Sequence, residues 1–411
     1  MKKVTVIGAG ILGMSTASYL RRDGHDVTVL TMHPPGEYCS FGNAGMLNNA
    51  GCVPQAMPGV IWKVPGYLTD PLGPLVVRGK YLLRAMPWLL RFLANANRRQ
   101  AEHASKAIYS MVRDTVPTYE ELARWAGVPE LIRRSNYLVA YDTEEAYQDD
   151  ALAWKLRAER GVKTEILDAA GIRRLVPQLS PHYVVGVHVL DQAFVRNPER
   201  LVKSLAAKFQ QEGGVILQRK VLGMETGGGG VKTLHTDAGD IPVEKLVVCA
   251  GVHSGEITGK LGEPVPIEAE RGYHVTYSDP GLDVPLPVHV SDTKVFVTPM
   301  EMGARVAGQA EFAGIYADPN YQRAEVLETH MKKMFPATRV TDSTRWMGRR
   351  PSMPDSLPVI GRSVKQNNVF YGFGHGHMGL CGGAPTARIV ADLVSGRKPA
   401  IDLSPFRVDR F

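Results

Sequence analysis

The stretch Lys3-Val4-Thr5-Val6-Ile7-Gly8-Ala9-Gly10-Ile11-Leu12-Gly13 decides the fold. It reads as an apolar strand, a glycine turn and the start of a helix. In that order Gly8 permits the tight turn, Gly10 lets backbone approach a pyrophosphate, and Gly13 lets the helix pack on the strand. The unpaired N–H groups and positive dipole end of the helix then face the phosphates. A GxGxxG alone is a weak signal. Here Val27-Thr28-Val29-Leu30 supplies the second strand of a βαβ unit. A dinucleotide site is therefore expected, using Gly8, Ala9, Gly10, Ile11, Leu12 and Gly13, with Leu30 and Thr31 at the adenosine end.

An acidic residue usually ends the second strand and holds the adenosine ribose. Thr31 stands in that place, Asp26 lies at the wrong end of the strand, and Glu37 comes several residues late. One hydroxyl contact is weaker than a carboxylate bound to two hydroxyls. No arginine follows the strand, so a 2′-phosphate has no obvious partner either.

At 411 residues the chain is expected to form two domains. No run approaches the ~18 apolar residues of a spanning helix. Met1-Lys2-Lys3-Val4 leads straight into the first strand, so no cleavable signal peptide is expected. Cys39, Cys52, Cys249 and Cys381 form no CxxC pair, which suggests reduced thiols in a cytoplasmic protein and argues against a cysteine-rich zinc or iron–sulfur site. The net charge of +7 mildly favours anionic ligands. The basic residues are dispersed, so nucleic acid is not an expected partner. One segment, 75–99, concentrates Arg78, Lys80, Arg84, Arg91, Arg98 and Arg99 among leucines and aromatics. Pro87 is expected to start a helix; at helical spacing Arg84, Arg91, Asn95 and Arg98 fall on one face and Met86, Leu89, Leu90 and Leu93 on another. A core-packing helix with a solvated basic face is one reading; a membrane-surface or partner-docking helix is the other.

Pro54, Pro58, Pro65, Pro71 and Pro74 mark 54–74 as an irregular connection. Helical patterns follow at 101–125, 145–160, 198–211 and 321–335, and a final helix at 383–396. The glycines at 227–230 read as a hairpin tip. Strands are expected at 184–189, 244–251 and 369–374, with an antiparallel set between 264 and 312. The expected fold is α/β: a Rossmann-like nucleotide domain over 1–60, 147–258 and 346–411, with an inserted α+β substrate domain over 61–146 and 259–345 whose sheet is mainly antiparallel.

Further motifs occur in a fixed order: Ser40-Phe41-Gly42-Asn43-Ala44-Gly45, Val248-Cys249-Ala250-Gly251, Glu270-Arg271-Gly272-Tyr273-His274, Gly348-Arg349-Arg350-Pro351 with Pro354-Asp355 and Pro358-Val359-Ile360-Gly361, and Gly374-His375-Gly376-His377-Met378-Gly379-Leu380. Over nearly its whole length the chain resembles the FAD-dependent D-amino-acid dehydrogenase/oxidase family, which includes glycine and sarcosine oxidases. SFGNAG with ERGYH most resembles bacterial D-amino-acid dehydrogenases, including those acting on D-proline or cis-4-hydroxy-D-proline. The resemblance implies FAD, held by the first turn, by Ser40 to Gly45, by Val221, Ala250 and Gly251, and by Gly374, Gly376, His377, Met378 and Gly379. Sarcosine-type oxidases attach flavin through a cysteine just before the P-D pair. Pro351-Ser352-Met353-Pro354-Asp355 has none, so non-covalent FAD is expected.

The implied reaction moves a hydride from the substrate Cα to flavin N5, with electrons passed to a quinone or another carrier. Arg350 would hold the substrate carboxylate, because a planar guanidinium binds it bidentately. Tyr273 and His377 complete the expected catalytic set. Arg271, which shares a strand face with Tyr273, and Met46 join the substrate wall. Arg349 departs from the family, standing where a large apolar residue is commoner. His375 and His377 have no third ligand nearby, so no metal is expected. An oxygen-using glycine/sarcosine-type oxidase and a flavoprotein subunit of a heteromeric amine or opine dehydrogenase are the alternatives. A cytoplasmic location is expected, with 75–99 as the surface for the inner membrane face or a partner subunit.

Overall fold

The computed structural model describes residues 2–340 and 342–411. Strand Lys3–Ile7 is buried from Val4 onward, as a central parallel strand must be. It lies in a six-stranded sheet ordered Val359–Arg362, Val369–Phe373, Lys245–Val248, Lys3–Ile7, Asp26–Thr31, Val215–Gln218. Every neighbouring pair is parallel except the first, which is antiparallel. The strand order reverses beside Lys3–Ile7, which opens a crevice at the carboxyl ends of the strands. Helix Ile11–Arg22 makes the crossover, and Ile11 to Leu20 are all buried, because it packs against helices Pro198–Gln211 and Gly383–Val394 as well as the sheet.

A ten-stranded sheet roofs that crevice. Its main path runs Ser343–Ser352, Glu268–Tyr277, Gly303–Phe312, Val295–Met300, Val288–Val290, Ile132–Tyr141, Val185–Val195, Met46–Leu47. Leu75–Val77 and Thr164–Asp168 pair at its flanks. The expected boundaries cut through this sheet. Thr164–Asp168 and Val185–Val195, placed with the nucleotide domain, pair here, and position 346 falls inside strand Ser343–Ser352. A small three-stranded sheet closes through Gly228 and Gly229, both at positive φ, the tight hairpin that the glycine run announces.

Local expectations are revised in several places. Residues 54–74 hold helix Val60–Thr69 with Pro65 inside it. Pro87 lies within helix Leu82–Asn95 and does not start it. Each proline deprives the carbonyl four residues back of its donor, and those residues, Ile61 and Leu83, are exposed, which leaves their carbonyls open to solvent. Ala85 and Trp88 are the buried residues of the second helix, while Leu90, expected on the packed face, is exposed. The 101–125 and 145–160 patterns each divide in two: Arg98–Val112 and Thr115–Trp125, and Glu144–Asp149 and Ala151–Glu159.

Candidate active site

Gly8 has φ +111°, and a Cβ there would lie 2.3 Å from the Cys249 carbonyl oxygen. A Cβ on Gly13 would lie 1.9 Å from the Gly8 carbonyl oxygen, so Gly13 is a packing requirement and does not line the cavity. Gly10 is different. Its nearest neighbour would be Ser40 Oγ at 3.4 Å, and the space beyond belongs to a cavity of about 1490 Å³. Gly8 to Leu12 form one end of this cavity, and the roof sheet forms its ceiling. At the helix N-terminus the Ile11 N–H donates to Ser40 Oγ at 2.9 Å. These two groups are where a phosphate would be received.

At the adenosine end Leu30, Thr31 and Val221 line the cavity. The Thr31 hydroxyl donates to the His33 carbonyl at 2.7 Å, so towards a ribose it can only accept. Arg219 and Lys220 line the same end. They follow strand Val215–Gln218, whose Gln218 pairs with Thr31. Sequence reasoning missed them because it looked for a cation after the second strand, and the sheet brings one from the next strand.

Loop 40–45 is clamped to the roof. Arg305 Nη1 donates to the carbonyls of Phe41 at 2.8 Å and Asn43 at 2.9 Å. His274 Nδ1 lies 3.1 Å from the Gly42 carbonyl. Burial, with help from Arg305, lowers the His274 pKa to about 3, so the ring is neutral and Nδ1 carries its proton. Gly42, Asn43 and Ala44 face the cavity. Phe41 does not: its ring packs against the stacked rings of His274 and Trp346, under Arg305. Nor does Gly45, whose φ of +81° and closeness to the Val195 carbonyl make it a turn residue. Ala250, Gly251, Gly374, Gly376, His377, Met378 and Gly379 all reach the wall, as does Met46. Asn48 Oδ1, also on this wall, is buried with no donor in the protein. A glycine cradle at a helix N-terminus, backbone-lined walls and an orphaned acceptor together fit a flavin dinucleotide.

Arg350 lies under the roof with its guanidinium flat against Gly272, where a Cβ would be 2.1 Å from Nη2. The strand register sets Gly272 opposite Gly348, two residues from Arg350. Gly272 therefore seats the arginine, a role its place in the Glu270–His274 motif did not disclose. Nη1 donates to Glu270 Oε1 at 2.7 Å and to the Gln309 carbonyl at 2.8 Å, and Nη2 donates to the Gly308 carbonyl at 3.2 Å. Nε and one Nη2 proton remain for a ligand in the cavity. Glu270 also accepts from Ser352 Oγ at 2.8 Å. Burial pushes the Glu270 pKa up, but Arg350, His377 and Ser352 outweigh it, and the carboxyl ends below its usual range. His377 turns its ring to the same cavity, and enclosure lowers its pKa against the pull of Glu270.

Two expected substrate contacts are committed elsewhere. Arg271 is fully buried and off the cavity. Its guanidinium donates to the carbonyls of Gly314, Ala317 and Asp318, pinning that loop. It does share a face with Tyr273: both meet buried Glu311, Arg271 at 3.6 Å and the Tyr273 hydroxyl at 2.6 Å. Tyr273 borders the cavity with its ring, but its hydroxyl donates to Glu311 and accepts from the Asn320 N–H at 3.0 Å. Tyr273→Phe should therefore cost ~1–3 kcal/mol of stability, because the Asn320 N–H loses its acceptor and Glu311 loses one donor while keeping its ion pair with Arg78 at 2.8 Å, with less than about a threefold change in KM. Thermal unfolding and steady-state kinetics together check this; a KM rise of tenfold or more with unchanged stability would return the hydroxyl to the substrate.

Comparison with known proteins agrees with this geometry. The FAD dependent oxidoreductase family (DAO) matches residues 3–393. A D-amino-acid oxidase of Bradyrhizobium diazoefficiens is 39% identical over 420 aligned positions, covering 100% of this chain and 99% of that protein. A D-amino acid dehydrogenase of Rhizobium rhizogenes is 31% identical, covering 100% of both. Among solved structures, glycine oxidase from Geobacillus kaustophilus superposes with a TM-score of 0.76 at 19% identity, covering 100% of both chains. With the pyrophosphate cradle, the roofed cavity and a family match across nearly the whole chain, the protein belongs to the FAD-dependent oxidoreductases of the D-amino-acid oxidase family and takes FAD as its cofactor.

Proposed function

We propose that the chain oxidises the Cα–N bond of a D-amino acid. The observation that carries this reading is the unspent Nε–Nη2 edge of Arg350, held in the cavity that the nucleotide cradle opens into. When bound, FAD supplies the two-electron acceptor. Glu270 and the carbonyls of Gly308 and Gln309 fix the guanidinium from behind, so that its free edge meets an α-carboxylate as a bidentate pair. His377, which lines the cavity and has its pKa lowered from the usual imidazole value, is placed to take the proton of the substrate ammonium at a ring nitrogen. Small residues at Gly374 to Gly379, with Met46, leave room along this wall for a flat ring system. The two curated relatives, one named an oxidase and the other a dehydrogenase, support the D-amino-acid assignment and leave oxygen and a carrier as competing acceptors.

The test is anaerobic mixing of the holoprotein with paired D- and L-amino acids, D-proline and cis-4-hydroxy-D-proline included. The flavin band should bleach with a D-enantiomer and not with its L form; bleaching by L forms alone would sink the assignment.

A quinone acceptor at a membrane surface is supported by one feature. Trp62 and Leu83 are each 84% exposed, and Leu68, Leu72, Leu82 and Leu90 stand out nearby, interspersed with Lys63, Lys80, Arg84 and Arg91. Cavity-lining Ile61, Leu82 and Leu90 belong to the same surface. No described helix is long and apolar enough to cross a membrane. Binding should be peripheral: the protein should float with anionic vesicles, and Trp62→Ser with Leu83→Ser should release it. Equal sedimentation with and without vesicles would discard the membrane reading.

A further inference from the structure

The cavity continues past Arg350 to a second polar end. Across the roof, register neighbours Ala307, Phe296, His289 and Val139 line it in turn. His289 stacks on Phe296 with ring centres 4.2 Å apart. The turn after His289 brings Ser291 and Lys294 to the wall, and the segment from Asp150 into helix Ala151–Glu159 brings Asp150, Trp154 and Arg157. Burial lowers the His289 pKa, and the charges of Lys294, Arg157 and Asp150 all bear on its ring, which places it at this end of the cavity.

The polar groups here are mostly spent on one another. Asp150 Oδ2 accepts from Ser291 Oγ at 2.5 Å and from the Tyr141 hydroxyl at 3.1 Å, and the Tyr141 oxygen accepts from Trp154 Nε1 at 2.8 Å. Lys63 pairs with Asp149 at 3.1 Å. Asp292 faces Asp142 and lies off the cavity; burial and that neighbour raise its pKa to about 7. Two cations keep free donors. Lys294 Nζ has a single contact with Ser291 Oγ at 3.4 Å. Arg157 donates through Nε to the Ala50 carbonyl at 3.0 Å and lies 4.4 Å over the Trp154 ring, with both terminal nitrogens unspent. Asp150 and, for Lys294, Asp292 oppose this charge, but neither forms an ion pair with Lys294 or Arg157. Lys294 also sits at φ 56°, a backbone conformation unfavourable for a residue with a Cβ, which this turn nevertheless holds. Two cations that line the cavity with no ion-pair partner present free donors to an anion entering it.

We propose that this end is the side-chain subsite and that it takes a carboxylate: the substrate is an acidic D-amino acid, held by Arg350 at its α-carboxylate and by Lys294 and Arg157 at its side chain. This rests on the function proposed above. The isosteric pair D-glutamate and D-glutamine isolates the charge, with D-proline and D-norvaline as neutral references. The holoenzyme should oxidise D-glutamate with kcat/KM at least tenfold above D-glutamine, and that ratio should fall at least tenfold in Lys294→Met and in Arg157→Met. A second readout avoids turnover: glutarate should raise the melting temperature of the holoprotein more than its monoamide does, and Lys294→Met should abolish the difference. If D-proline, D-norvaline or D-glutamine is the better substrate, or if neither variant moves the ratio, the subsite assignment fails while the D-amino-acid reading stands. If no D-amino acid is oxidised, the functional reading fails. The glutarate comparison then judges the subsite alone, and equal shifts from the diacid and its monoamide overturn it.

Discussion

Gly10→Val should purify as a folded, colourless protein. Gly10 caps helix Ile11–Arg22 at φ −75° and ψ −177°, extended backbone that valine adopts without strain. A Cβ there meets nothing closer than Ser40 Oγ at 3.4 Å. The cost to the fold is the exchange of a tolerable N-cap for a poor one, on the order of 1 kcal/mol. The branched side chain would, however, occupy the space where the Ile11 N–H and Ser40 hydroxyl wait for phosphate. Flavin absorbance should be lost, and with it the stability that cofactor binding contributes by mass action. Gly13→Val is the control that separates the two roles. Its Cβ would be driven to 1.9 Å from the Gly8 carbonyl oxygen, so helix and strand must part, and soluble protein should fall sharply. The absorbance ratio of flavin to protein, with a melting curve of each variant, makes the comparison. A fully yellow Gly10→Val would remove the pyrophosphate from this turn.

These two glycines also mark what the sequence can disclose. The βαβ start was readable because strand, turn and helix are local, and the period changes from two to 3.6 within a dozen residues. The ordered motifs carried the family and, through it, most of the cavity wall. What stayed hidden depends on partners distant in sequence. Arg219 and Lys220 reach the adenosine end only because Val215–Gln218 pairs beside Asp26–Thr31. Arg271 and Arg350 look alike in sequence, each an arginine in a strand motif. They separate only when Glu311 and three loop carbonyls are seen to consume the first, while Gly272 opens room for the second. Strand periodicity gives the face that Tyr273 shares with Arg271, but not the buried Glu311 that its hydroxyl meets there, because periodicity predicts where a side chain points and not what waits there.

Arg350→Ala should raise KM for the substrate carboxylate by orders of magnitude, the equivalent of ~2–5 kcal/mol for a charge pair truncated on one side. The same change strands Glu270, which is 3% exposed and would keep Ser352 and the weaker Gln55 contact at 3.3 Å. Loss of one partner of a buried pair costs ~3–5 kcal/mol at the extreme. Here the Arg350 side chain is 25% exposed, so roughly half of that is expected. The Glu270 carboxyl has its pKa lowered in the folded protein, so the stabilisation it brings is present above its unfolded pKa and fades as pH falls through the lower folded value. The Arg350→Ala destabilisation should therefore be full at neutral pH and shrink in acid. Adding Glu270→Gln removes the stranded charge. In the double variant the melting temperature should recover while KM stays high, since the missing Nε–Nη2 edge is not replaced. Arg350→Lys should fall between, because an ammonium cannot hold Glu270, two backbone carbonyls and a bidentate carboxylate at once. If the double variant restored KM along with stability, Arg350 would be a scaffold for Glu270 and the substrate carboxylate would have to be sought at Lys294 and Arg157.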